Sequence, residues 1–231
     1  YQINKLLSAQ INNRPGGLMK KVRVGEKEYS RTVIKNNILK VYKVSADYER
    51  NDWYREAHNF GVEVSTFLKA FRNYNITVNQ VLGVVSALSP LKEWEKNKEI
   101  AVDFILTGDC GHMGANKRKA RQILDIDIDV CECDGHHLDL SYVDDKILEI
   151  LSGPKTSRFY MNMMYPDGTG VTVDRHAIAI AIGRTATDKE QSLTPKAYEF
   201  IEKCYIMTAE TLGLDPLHLQ SITWQTWKRI K

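Results

Sequence analysis

A chain of 231 residues with 43% hydrophobic content is long enough to bury a substantial core. It has no run of about 18 apolar residues, and the polar start Tyr1-Gln2-Ile3-Asn4-Lys5 lacks the pattern of a signal peptide. The expectation is therefore a soluble, cytoplasmic protein with no membrane contact. Four cysteines, Cys110, Cys131, Cys133 and Cys204, are too few and too clustered for a disulfide scaffold, so reduced thiols are expected.

The net charge of +3 is unevenly spread. Residues 125–149 hold nine acids against the single base Lys146, a balance of −8 that leaves +11 on the rest. A basic body suits a polyanionic partner, although an ordinary solvated surface accounts for the same charge.

Taken in order, residues 1–12 carry Ile3, Leu6, Leu7 and Ile11 at the spacing of a short amphipathic helix, which Arg14-Pro15-Gly16-Gly17 ends. Residues 18–46 alternate bases with β-branched residues and predict a hairpin or an irregular basic arm. From Asn51 to Arg72, Trp53, Ala57, Phe60, Val64, Phe67, Leu68 and Phe71 recur at three and four, predicting a helix that turns them to the core, with His58 structural. Thr77 is placed to cap a helix over 78–88 that is apolar nearly all round and belongs in the middle of the fold. Pro90 ends it after Ser86-Ala87-Leu88-Ser89.

A helix over about 92–106 and a loop over 108–114 follow, and then a short basic helix from Asn116 with Lys117, Arg118, Lys119 and Arg121. Cations near a helix start oppose the macrodipole, so a phosphate would relieve a local cost there.

The acidic stretch 125–149 reads as an insert. Asp125, Asp127 and Asp129 alternate as on one face of a strand, and Cys131, Cys133, His136 and His137 follow, with Cys110 and His112 upstream. Zinc on Cys110, Cys131, Cys133 and His136 is chemically possible. However, Cys-x-Cys is tighter than the usual knuckle and no second pair has standard spacing, so no metal or other cofactor is expected. An EF-hand fails because Val130 stands where that loop needs glycine.

Leu151-Ser152-Gly153-Pro154-Lys155-Thr156 predicts a helix ending at Gly153, a tight turn, and a second helix starting near Lys155. After a further turn at Pro166-Asp167-Gly168, Asp174 stands as the N-cap of a helix through Ile178, Ile180 and Ile182 to Gly183. A glycine turn between helices, followed by a carboxylate at a helix start, can grip a phosphate and present an acid beside it. Arg175 and His176, on successive positions, are expected to point apart, so at most one shares a pocket with Asp174. Thr194-Pro195 and Asp215-Pro216 open the last two helices, with Cys204 buried in the first and Trp224 and Trp227 sealing the core from the second. About ten helical segments and little strand signal make the chain all-α.

The order of Ser86-Ala87-Leu88-Ser89-Pro90, the segment Lys117 to Leu124, Leu151-Ser152-Gly153 and Val171-Thr172-Val173-Asp174-Arg175-His176 resembles the helix-hairpin-helix (HhH-GPD) DNA glycosylase superfamily over residues 78–184. It is similar in particular to phage-encoded members, including the alpha-glutamyl/putrescinyl thymine pyrophosphorylases that act on hypermodified thymidine. The resemblance implies a single two-lobed helical domain over 1–231 with a small N-terminal arm. It further implies a monomer in a bacterial or phage-infected cell, acting on double-stranded DNA that carries modified bases.

On the same resemblance, Gly153, Lys155, Thr156 and Arg158 at the hairpin, with Lys117, Arg118, Lys119 and Arg121, would hold DNA phosphates. Ser89, Lys92 and Trp94 would fill the gap or touch the opposite strand, while the flipped base enters a pocket between the lobes that includes Ser86, Arg175 and His176. Asp174 would be the catalytic carboxylate, stabilising an oxocarbenium-like sugar or activating a nucleophile.

The chain also departs from the family. Pro154-Lys155 replaces Val-Gly, and Ser157 falls near the position of the Schiff-base lysine of bifunctional members. Lys155, 19 residues before Asp174, is the remaining candidate for a catalytic amine and otherwise grips phosphate. The family's C-terminal four-cysteine iron–sulfur loop is absent. Three activities stay open: monofunctional base excision through Asp174, displacement of pyrophosphate from an activated thymine by an amine or amino acid, and DNA binding without chemistry. A plain N-cap also accounts for Asp174.

Overall fold

The computed structural model describes residues 20–90, 92–111, 114–128 and 140–231. The helix expected over 1–12 lies outside them. The described residues are predominantly helical, with one two-stranded sheet, as the sequence predicts. None of their helices is long and apolar enough to cross a membrane. The chain divides into two compact units: a split unit formed by the chain up to Asn51 together with Asp167–Lys231, and a continuous unit, Asp52–Pro166. The 78–184 stretch is shared between them.

The split unit's first part is a hairpin, β1 (Lys21–Val24) and β2 (Lys27–Ser30), in which Val22 and Val24 are buried and Lys21 and Arg23 face outward. Where the sequence predicts that the arm continues as hairpin or irregular chain, the structure has a helix, α1 (Arg31–Lys43). The Ser30 hydroxyl caps it by accepting the Val33 N–H, and Ile34, Ile38 and Val41 form its buried stripe. Adjacent β-branched Val33 and Ile34 resemble a strand, but the cap and the four-and-three recurrence decide for helix.

In the continuous unit, α2 (Trp53–Arg72) leads to α3 (Val78–Leu88), which is buried from Asn79 to its end. A reciprocal cap between Thr77 and Gln80 starts α3. The remaining helices, α4 (Trp94–Thr107), α5 (Gly114–Leu124), α6 (Leu140–Leu151) and α7 (Pro154–Met164), all pack on α3, as does α2. This is the central helix that its all-round apolar sequence predicts.

The face of α2 differs from the sequence reading. It buries Tyr54, Ala57, Gly61, Ser65 and Leu68, while Phe67 and Phe71 are 53% and 74% exposed. The reason is close approach: a Cβ at Gly61 would stand 2.7 Å from Leu82 of α3, so the small residues, and not the aromatics, seat the helix.

The acidic stretch is likewise not a simple insert. Asp125 and Asp127 are exposed in non-strand chain after α5, and Asp129 lies outside the described residues. Its end is α6, a core helix with Val143, Ile147 and Leu151 buried. There Asp144 is itself buried and accepts hydrogen bonds from Asn79 Nδ2 at 2.7 Å and from the Tyr160 and Tyr165 hydroxyls. These donors satisfy a carboxylate that would otherwise be costly to bury.

The split unit resumes with α8 (Arg175–Ile182), α9 (Asp188–Gln191), α10 (Pro195–Leu212) and α11 (Pro216–Ile230). Its core joins Ile34 and Ile38 of α1 to Ile178, Ile180, Ile201, Tyr205 and Leu219. Two buried carboxylates pin its irregular segments. Glu49 accepts from Arg229 Nε at 2.7 Å, Thr226 Oγ1 at 3.0 Å and the Ala46 N–H at 2.7 Å. Glu190 accepts from Arg184 and from the Thr187 N–H. Each set of donors, led by the arginine, holds its carboxyl down at about 2.

Candidate functional site

In the split unit the chemistry gathers at the start of α8. Asp174 is extended and half-exposed, as an N-cap requires. Its Oδ1 accepts both the His176 N–H at 2.9 Å and the Ala177 N–H at 2.8 Å. One oxygen thus serves the helix, and among the described residues Oδ2 has no hydrogen-bond donor. The carboxylate is held through Oδ1 with the other oxygen left to a ligand, an arrangement suited to stabilising positive charge or accepting a proton.

Arg175 and His176 do not point apart, contrary to the sequence reading. The guanidinium folds back so that Arg175 Nε lies 3.3 Å from His176 Nε2. Successive positions diverge at Cβ, but the length of the arginine side chain closes the gap. Burial is the main cause that lowers the His176 pKa below its ordinary 6.5; Asp174 opposes it, and the charges of Arg175, Lys228 and Lys231 add to it.

Sequence reasoning missed two neighbours. Trp224 of α11 meets the His176 ring edge-to-face at 6.0 Å between centroids, and Lys228 Nζ stands 4.6 Å over the Trp224 ring. Trp224 is only half-buried, so it borders the Asp174 site and does not merely seal the core. The Trp224 and Lys228 pair at i and i+4 was legible; its arrival beside α8 was not.

In the continuous unit, α6 ends at Leu151, and Ser152, not Gly153, takes the left-handed conformation, at φ 55°. Gly153 is the extended N-cap of α7, with φ −112° and ordinary room for a Cβ. Local geometry therefore does not demand glycine here. Having no side chain, Gly153 leaves α7 uncapped, so the Lys155 and Thr156 N–H groups are free of any cap.

Several predicted contact residues assemble around this turn. Lys119 Nζ donates to Leu151 O at 2.6 Å and Ser152 Oγ at 3.0 Å, bringing the basic helix onto the hairpin. Thr156 Oγ1 lies 3.2 Å from Gly153 O. Ser86 is fully buried and donates to Thr156 O at 2.8 Å, so it ties α3 to α7 and does not line a substrate surface. Lys155 is exposed and Arg158 half-buried.

The other predicted contacts do not join the turn. Lys117 pairs with Asp109 at 2.5 Å, and Arg121 donates to Gly108 O at 3.1 Å, closing the end of α4. Arg118 and Lys92 are exposed, and Ser89 Oγ turns back to Ser86 O at 2.9 Å. Trp94 sits in a half-buried aromatic cluster, 4.8 Å from Trp53 and 5.9 Å from Phe60 between centroids, with Lys98 over two of the rings. His58, read as structural, bonds Met163 O at 3.0 Å.

Of the candidate zinc ligands, Cys131, Cys133 and His136 lie outside the described residues, as does His112. Cys110 is described, with its thiol pushed up mainly by burial. Among the described residues no group of three or more His, Cys, Asp or Glu side chains is placed to hold a metal ion.

A family model described as a family of unknown function (DUF7178) matches residues 20–231. No curated protein and no solved structure matches the chain.

Proposed function

The chain belongs to this family of unknown function, DUF7178, and we propose for it a DNA-acting enzyme of glycosylase type in which Asp174 is the catalytic carboxylate. The observation that carries the reading is the division of labour in that side chain. Oδ1 alone caps α8, and Oδ2 is left, among the described residues, without a protein donor beside His176 and Trp224. A cap needs only one oxygen; the second is available to a reacting sugar or water. Support from the other unit is the uncapped start of α7, where the Lys155 and Thr156 N–H groups stand with the Lys119 and Lys155 side chains, a set of donors that suits a phosphate. Lys155 grips phosphate in this reading and forms no Schiff base.

One observation favours a second reading. Three cations, Arg175, Lys228 and Lys231, act on the His176 ring beside Asp174. Their charge would neutralise a diphosphate leaving group, which fits displacement of pyrophosphate from an activated thymine with the glycosidic bond left intact.

The test is incubation with phage and host DNAs carrying different modified bases, followed by mass spectrometry of released bases and altered nucleosides. Base release that is lost in Asp174→Asn, with DNA affinity kept, is the expected result. A mass change on the base without abasic sites selects the second reading. Turnover undiminished in Asp174→Asn would remove Asp174 from the chemistry.

A further inference from the structure

Residues 20–43 carry eight bases and two acids, a balance of +6 against +3 for the whole chain. The structure turns this stretch into two regular elements, the hairpin and α1, with six of the eight cations outside. Lys20, Lys21, Arg23, Lys27, Lys40 and Lys43 are all exposed, and among the described residues none of them is in an ion pair. Four acids of the unit are engaged elsewhere: Glu26 with Lys189, Glu190 with Arg184, Glu199 with Lys203 and Glu49 with Arg229.

Glu28 stands opposite Arg23 across the hairpin, and the remaining exposed cations concentrate positive charge on ordered backbone, which is a local electrostatic cost in the isolated protein. The spacing is regular. Lys21 and Arg23 share the outer face of β1, roughly 7 Å apart by strand geometry. Lys40 and Lys43 are neighbours on the exposed face of α1, roughly 5–6 Å apart by helix geometry. Thr32 and Asn36 lie exposed on that same helix face and add neutral hydrogen-bonding groups.

We propose that the hairpin and α1 form a contact surface for the phosphate backbone of duplex DNA, separate from the Asp174 chemistry. DNA presents a negative charge about every 1.7 Å of its axis, and each phosphate neutralised by Lys or Arg releases condensed counterions. Polar Thr32 and Asn36 between the lysines suit phosphate oxygens. An interfacial membrane helix would instead set bulky apolar residues opposite its basic face; here the opposite face, Ile34, Ile38 and Val41, is spent on the core. The proposal rests on the DNA reading given above and extends it to a surface with no part in catalysis.

The experiment measures fluorescence anisotropy of a labelled 20-base-pair duplex over a salt series, for wild type and a combined Lys21→Gln, Arg23→Gln, Lys40→Gln, Lys43→Gln variant. All four sites are exposed, and a circular-dichroism melt checks that the fold is kept. The expected result is a salt slope of log K shallower by about 0.9 for each phosphate no longer neutralised, about 3 to 4 in all, with affinity at 0.1 M salt reduced at least tenfold. A variant with Lys21, Lys40 and Lys43 changed to Arg should bind like wild type. Equal slope and affinity in the Gln variant would overturn the surface while leaving the Asp174 reading intact. Absence of duplex binding by wild type at low salt would sink both. Charge-dependent binding to phosphatidylserine vesicles, with none to duplex, would overturn the proposal in favour of a membrane partner.

Discussion

Arg175 Nε lies 3.3 Å from His176 Nε2, and because a guanidinium has only donors, the imidazole nitrogen must accept. The neutral ring therefore carries its proton on Nδ1, the nitrogen left for a ligand. Burial lowers the His176 pKa, so its contribution to stability is complete above the ordinary value near 6.5 and is lost as pH falls through the lowered one. An NMR titration should place the His176 midpoint below 6.5. Asp174→Asn should lower it further and Arg175→Gln should raise it part of the way back. A midpoint at or above 6.5 in the wild type would refute the assignment.

Two substitutions separate the cap that Asp174 forms from the chemical role proposed for it. Asparagine keeps an oxygen for the His176 and Ala177 N–H groups, so Asp174→Asn should leave thermal stability within about 0.5 kcal/mol of wild type. Asp174→Ala should cost about 1 kcal/mol through removal of the cap. Both should abolish turnover. Melting curves read beside product formation check the pair, and a fully active, merely less stable alanine variant would reduce Asp174 to a cap.

The Glu49 and Glu190 carboxyls, both held at about 2, set the acid limit of the split unit. Their folded values lie below the unfolded ones, so their stabilisation is present above about pH 4.5. It drains away as pH falls from there to about 2. The melting temperature should drop across that range, and Glu49→Gln should be less stable than wild type at pH 7 with a flatter acid dependence. Parallel pH profiles of the two proteins would argue against the assignment.

Lys119 and Lys117 stand two positions apart in α5 and should behave differently. Lys119 bonds the last carbonyl of α6 and Ser152, so Lys119→Met should cost about 1.5 kcal/mol or more and weaken the DNA binding proposed above through the distorted turn. Lys117 holds an ion pair with exposed Asp109, which water and salt screen, so Lys117→Met should leave stability close to that of wild type. Denaturant melts of both variants decide between this ranking and an equal effect.

The sequence revealed elements where local chemistry determines them. Thr77, Asp174 and Thr194 cap helices whose starts they announce, because a cap is a bond between near neighbours. It failed where tertiary fit overrides pattern: the seat of α2 is chosen by Gly61 against Leu82, which no periodicity of Phe67 and Phe71 can foretell. The Asp174 cap was legible for the same local reason, and so was the turn at Gly153. Trp224 beside His176, Lys119 on Leu151 and Ser86 on Thr156 were not, since each joins residues that meet only once separate helices have packed.

The split unit has a kinetic consequence. Its core joins α1 to α8 and α10, and bringing those helices together means closing a loop that contains all of Asp52–Pro166. Loop closure of this size carries a large entropic cost that must be met before the packing rewards it. The continuous unit needs no such closure and is expected to collapse first. Asp174, lying in the part of the chain that closes last, should gain its fixed orientation only at the end of folding, so the phosphate binding proposed for the Gly153 turn should recover ahead of the chemistry proposed for Asp174 during refolding.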